Sequence, residues 1–208
     1  MIDFNLPNTA KVDKFIPKTT FIKKITNGKA IFENIEKITW SYKLSPKTIN
    51  IPKTSTVEEI HIFNITLKSK EIPTKALNEI KKLIPYPILF CFKYDEQYAY
   101  GISLLNEQKY YFTDFDEAVE FSFNDTNLEK VYENIVKKFL KNIDTESTTN
   151  IDFKQTIQND NKISILKKEI QALENKIKKE KQFKKQLELS RQLKPKQKEL
   201  ENLIKGIQ

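Results

Sequence analysis

Hydrophobic and polar positions along this chain fall into stretches of two different periods. The clearest is VEEIHIFNITLK (57–68), where Ile60, Ile62, Ile65 and Leu67 alternate with polar positions. It predicts a strand with one slip near Phe63 and Asn64 that fits a bulge. Upstream, Ile38, Trp40 and Tyr42 alternate with Thr39, Ser41 and Lys43, so a second strand is expected, turned by SPK at 45–47. That alternation places Trp40 with Ile38 and Tyr42 on one face and Lys43 on the other. IPTKALNEIKKLIP (72–85) carries Ala76, Ile80, Leu83 and Ile84 as a helical stripe, opened by Pro73 and ended by Pro85. PILFCFKY follows as a buried strand. DEQ (95–97) and NEQK (106–109) then make hairpins through YAYGISLL and YYFTDF.

The flanks read differently. FNLPNTAKVDKFIPK reads as an opening loop. KTTFIKKI and AIFENIEKI read as helices separated by NGK at 27–29. FNDTNLEKVYENIVKKFLKNI is a closing helix with Leu128, Val131, Ile135, Phe139 and Leu140 on its apolar face, capped by Asn124, Asp125 or Thr126. A strand–helix–strand unit followed by a meander implies an α+β fold with a mixed, mostly antiparallel sheet and flanking helices. This domain is expected over residues 1–143.

Residues 144–161 are polar and aperiodic, which predicts a linker. From 162 to 208 the pattern becomes that of a long-helix, coiled-coil-like arm. Ile163, Leu166, Ile170, Leu173 and Ile177 step 3-4-3-4, a heptad seam. The next seam positions would be Glu180 and Lys184, so the register falters there, and a helix break is expected near Pro195. Two arrangements fit so short a seam: a helical hairpin, or a homodimer through 162–208.

Charge sharpens this division. The chain carries +8 overall, and every basic residue except Arg191 is lysine. Residues 54–161 hold twelve lysines against eighteen acids, whereas 162–208 hold fourteen basic residues against six. The excess therefore belongs to the arm, where it could neutralise phosphates. No run is long enough to span a bilayer, since LIPYPILFCF is short and proline-broken, and MIDFNLPNTAKV lacks the features of a leader. A cytoplasmic location is expected.

Candidate chemistry is sparse. The three glycines, Gly28, Gly101 and Gly206, are far apart, so neither a P-loop nor a dinucleotide fingerprint can be built. No cofactor is expected. His61, the only histidine, falls opposite Ile60 and Ile62 and reads as a surface or sheet-packing residue. Cys91 is the only cysteine and reads as a buried strand residue, so a zinc site lacks ligands. A metal-dependent nuclease would need clustered carboxylates, for which Glu58 or Glu59 with Glu107-Gln108-Lys109 are the candidates. If any residues of the sheet carry chemistry, they are Lys43, Asn50 and Glu59. For contact with a nucleic acid or a partner the candidates are Phe183 and the surrounding Lys178, Lys179, Lys181, Lys184 and Lys185. The simpler reading of that group is a solvated helix face with Phe183 docked inward.

Three stretches, FNLPNTAKVDKFIPKTTF (4–21), ITWSYKLSPKTINI with VEEIHIFNITLK (38–68) and KKEKQFKKQLELSRQL (178–193), together resemble the bacterial and archaeal family called domain of unknown function 4391. The matching positions are Phe4 to Pro7, Ile16 to Lys18, Trp40, Lys43, Leu44, Thr48, Asn50, Glu59, Glu180, Gln182 and Phe183. Ser190 departs from the pattern, which has asparagine there. The resemblance transfers no activity. It implies small proteins encoded beside helicases and DNA methyltransferases in restriction-like or phage-defence loci. The expectation is a non-enzymatic accessory subunit with a larger helicase or methyltransferase-type partner. A nucleic-acid-binding module comes next, and a nuclease after it.

Overall fold

Phe4 ties the start of the chain to the sheet. Its ring meets Tyr42, Tyr100, Phe121 and Phe123 edge-on, with centroids 6.0, 6.5, 6.1 and 5.5 Å away. The computed structural model describes residues 4–23, 25–105, 107, 109–143 and 152–206. Within these the chain divides into two units, one ending at Phe139 and one beginning at Leu140.

In the first unit a 3-10 turn, Asn8–Ala10, leads into β1 (Lys11–Phe15), which replaces the expected loop. β1 is an exposed edge strand of mostly polar residues, with Asp13 at φ 46° where its register slips, so neither alternation nor burial marks it in the sequence. Two single turns follow, α1 (Thr19–Ile22) and α2 (Gly28–Ile31). β2 (Ile35–Leu44) starts three residues before the sequence pattern places it. The helical spacing of Ile31, Phe32 and Ile35 yields to pairing, because Ile35 lies opposite Leu67 in the sheet. After α3 (Pro46–Ile49) come β3 (Ile60–Leu67), α4 (Thr74–Leu83), β4 (Ile88–Tyr94), β5 (Gln97–Ser103), β6 (Tyr110–Phe112) and α5 (Leu128–Lys137). Asn127 caps α5, accepting the Lys130 amide at 2.9 Å, rather than any of the three residues before it.

The six strands lie in chain order, β1 to β6. Only β3 and β4 run parallel, joined by the α4 crossover; the other pairs are antiparallel. One sheet face carries Ile38, Phe63, Ile65, Phe90, Phe92 and Ala99, packed with Ala76, Leu77 and Ile80 of α4 and with Phe21 and Phe32. On the opposite face, Ile60, Ile62, Leu89 and Ile102 are fully buried. Tyr132 of α5 links to the end of β5, accepting the Leu105 amide at 2.9 Å and donating to the Ser103 carbonyl at 3.2 Å.

The expected slip in β3 is absent. Its pairing with β4 is continuous from His61 to Thr66, and Ile62 and Phe63 are both buried because both sheet faces are covered. The irregularities lie in β2. Trp40 pairs with Phe63 but Tyr42 pairs with Ile62, so Ser41 is an extra residue, and Glu36 is another between Ile35 and Lys37.

The second unit is an antiparallel helical hairpin, α6 (Phe153–Lys179) and α7 (Phe183–Lys205). Lys162 pairs with Glu199 at 3.0 Å and Lys196 with Glu169 at 2.7 Å across it. Ile163 packs with Ile143, Leu200, Leu203 and Ile204. The seam residues Leu166, Ile170 and Leu173 are buried. α6 begins inside the stretch expected as a linker; residues 144–151 lie outside those described. The break falls at 180–182 and not at Pro195, through which α7 continues. The seam explains the position. Continuing α6 would put Glu180 into the apolar stripe, and instead its carboxylate accepts the Lys181 and Gln182 amides, each at 2.9 Å. Pro195 sits on the exposed side, where α7 loses a single backbone donor.

Candidate functional site

The bulge at Ser41 decides which side chains meet. Unbroken alternation would put Trp40 and Lys43 on opposite faces and Trp40 and Tyr42 on the same one. The extra residue turns Tyr42 toward Phe4 and brings Lys43 round to the Trp40 side, opposite His61 on β3. The Trp40 indole donates to the Tyr42 carbonyl at 3.0 Å, bridging the irregularity.

Here Glu59 is held at both oxygens. Lys43 Nζ lies 2.7 Å from Oε1 and His61 Nε2 lies 3.2 Å from Oε2. The His61 ring is only 6% exposed. It is stacked between Trp40 at 5.1 Å and Tyr86 at 5.3 Å, with interplanar angles of 25° and 13°. A carboxylate accepts only, so Nε2 carries the proton and donates it, and the neutral ring keeps a lone pair at Nδ1. Nδ1 is buried with no hydrogen-bond partner. Burial pulls the imidazole below its ordinary value of 6.5; Glu59 opposes that pull and Lys43 adds to it. The carboxylate–imidazole pair has the form of a base and its orienting group. However, the free nitrogen is buried away from solvent, so the arrangement pins together the ends of β2 and β3 and the 84–87 loop. Neither His61 nor Tyr86 was among the expected site residues. The lone histidine and its strand were legible, but its meeting with Lys43 depends on the bulge.

Of the three residues marked on the sheet, Lys43 and Glu59 come together. Asn50 does not join them: it ends α3 in the left-handed conformation, φ 56°, which asparagine tolerates well. The polar residues around it close the same turn. Thr48 Oγ1 accepts the Ser45 amide at 2.8 Å and donates to the Lys43 carbonyl at 2.7 Å. Of the carboxylates weighed for metal binding, Glu58 pairs with Lys53 at 3.3 Å and Glu59 with Lys43 and His61; Glu107 accepts from Lys81 at its backbone carbonyl, at 2.7 Å, and Gln108 lies outside the described residues. Among the described residues no three of His, Cys, Asp or Glu converge to hold a metal. Cys91 is fully buried, and burial pushes its thiol far above the usual range. A cleft of about 680 Å³ lies between α2 and the β3–α4 loop, where Asn34 binds the Ser69 and Glu71 carbonyls.

The second candidate region is the hairpin tip. Phe183 is not docked inward: it is 76% exposed, and Leu187, one turn on, is 44% exposed. Lys178 and Lys179 end α6, Lys181 is in the turn, and Lys184 and Lys185 open α7, so all five lie at the turn end of the hairpin with Phe183. Three cations along the shaft, Lys162, Lys196 and Lys205, pair with Glu199, Glu169 and Glu201. Among the described residues, no ion pair engages the five lysines at the tip.

The fold and these two regions define an α+β protein on a six-stranded mixed sheet, with a lysine-tipped helical hairpin. The chain belongs to the family described as domain of unknown function (DUF4391), whose model matches residues 4–200. No match was found among curated proteins or among solved structures. No helix among the described residues is long and apolar enough to cross a membrane.

Proposed function

We propose that this protein is a non-enzymatic accessory subunit, working in the cytoplasm with a larger DNA-acting enzyme of the helicase or methyltransferase type in a restriction-like or phage-defence system. The observation that carries the reading is the hairpin tip. An aromatic and a leucine side chain stand exposed on successive turns of a helix, in a lysine-rich segment where no ion pair is formed among the described residues. An exposed apolar pair of this kind marks a contact surface. On the sheet, in contrast, Lys43, Glu59 and His61 engage one another, with Glu59 held at both oxygens. The kind of partner comes from the resemblance to proteins encoded beside helicases and DNA methyltransferases.

The test is affinity purification of the tagged chain expressed from its own locus, with nuclease present to remove bridging nucleic acid. A helicase or methyltransferase retained with the wild type, and lost with a Phe183→Ser/Leu187→Ser variant of unchanged circular dichroism, supports the reading. Recovery of the chain alone overturns it.

A further inference from the structure

We infer that the hairpin tip is a single-stranded nucleic-acid contact, with Phe183 as a stacking platform for a base and the neighbouring lysines as phosphate contacts. The inference rests on the reading of the tip as the contact element and adds a nucleic-acid strand to what it touches.

Three observations lead there. First, Phe183 is 76% exposed, which leaves a ring face for another planar group. An inward-docked phenylalanine would leave the lysines around it as an ordinary solvated face. Second, the tip carries an excess of positive charge. Glu180 is the sole acid between Asn175 and Leu187, against six lysines, and its carboxylate, which accepts the Lys181 and Gln182 amides, supplies one negative charge that acts on Lys185. Flexible cations around an aromatic are what a strand with a phosphate backbone and unstacked bases matches. Third, the tip cations are all lysines, and the nearest arginine is Arg191. Lysine offers a point charge without the planar fork that reads guanine edges, so this surface suits sequence-tolerant stacking better than readout of a duplex groove. Leu187 lies one turn below Phe183 and extends the apolar surface beneath it.

The test uses the full chain and fluorescence anisotropy with a labelled oligothymidylate of about 20 nucleotides and a duplex of the same length. The single strand is expected to bind more tightly than the duplex, with affinity falling steeply between about 50 and 200 mM salt. Phe183→Ala should weaken single-strand binding on the order of tenfold, and Phe183→Trp should retain it. Lys184→Glu/Lys185→Glu should weaken binding and flatten the salt dependence. Because Phe183 is exposed, its replacement leaves the fold intact, which circular dichroism checks. Equal binding by wild type and Phe183→Ala, preference for the duplex, or no strand bound at low salt each overturns the inference. If no strand binds while a protein partner is retained through nuclease treatment, the accessory reading survives and the tip is a protein-docking surface. If neither strand nor partner is held, both fail.

Discussion

The indole of Trp40 stacks on the imidazole of His61, with centroids 5.1 Å apart and planes inclined by 25°. The two residues are brought to one face by pairing between β2 and β3, and the bulge just after Trp40 adds Lys43 to the same group. The consequences are measurable because His61 is the only histidine in the chain.

One expectation concerns protons. Burial holds the folded imidazole below the 6.5 of an exposed one, so as pH falls the unfolded chain takes up this proton first. This contribution to stability is complete above about pH 6.5, declines as pH drops below it, and levels off once the folded imidazole also protonates. Proton NMR titration of the single imidazole should give its lowered pKa directly. Glu59→Gln should lower that pKa further, and Lys43→Met should raise it, since the carboxylate favours the charged ring and the ammonium disfavours it. His61→Gln should flatten this part of the stability profile in urea denaturation; an unchanged profile would remove His61 as its source.

Phe4 supplies a second test. Four aromatic rings surround it, so Phe4→Ala should cost about 2–3 kcal/mol in chemical denaturation. Phe15, 56% exposed on the edge strand, is the control, and its replacement by alanine should stay within about 0.5 kcal/mol of wild type.

Two glycines should respond oppositely to alanine. A Cβ on Gly101 would stand 2.7 Å from the Phe112 ring and 3.1 Å from that of Phe92, so Gly101→Ala should destabilise by about 1–3 kcal/mol. Gly206 ends α7 with φ −77°, and the nearest atom to its added Cβ is 3.4 Å away. Gly206→Ala should be neutral or mildly stabilising in thermal denaturation.

Pro195 lies inside α7, which continues through it. Pro195→Ala restores a backbone donor without a steric demand, so it should stabilise the hairpin by about 1–3 kcal/mol and raise its thermal midpoint followed by circular dichroism. A lower midpoint would mean that the proline ring makes a contact worth more than the missing hydrogen bond.

These tests follow how far the sequence could be read. The α4 stripe from Ala76 to Ile80 and the heptad seam from Ile163 to Leu173 were legible because burial of one face imposes a period on each, and the strand around Ile62 because its β-branched and aromatic residues mark a strand covered on both faces. β1 was hidden because an edge strand with four of five residues exposed imposes none. The Lys43–Glu59–His61 group was hidden by a single residue: a bulge at Ser41 changes which side chains share a face without changing which positions are polar. At the tip the lysines were plain, but a seam that ends two residues before a turn and one that continues look alike up to Ile177. Exposure of Phe183 became visible only with the turn in place.

The chain-order sheet also bears on synthesis. From β2 onward, each strand leaves the ribosome with a partner already made, and α4 carries the crossover between the parallel neighbours β3 and β4. Such short-range pairing favours fast, stepwise assembly from the N-terminal side. Phe4 is the exception. Two of its contacts, Phe121 and Phe123, are among the last residues of the domain to be made. Phe4, translated long before them, is therefore fully seated only after Phe121 and Phe123 have emerged.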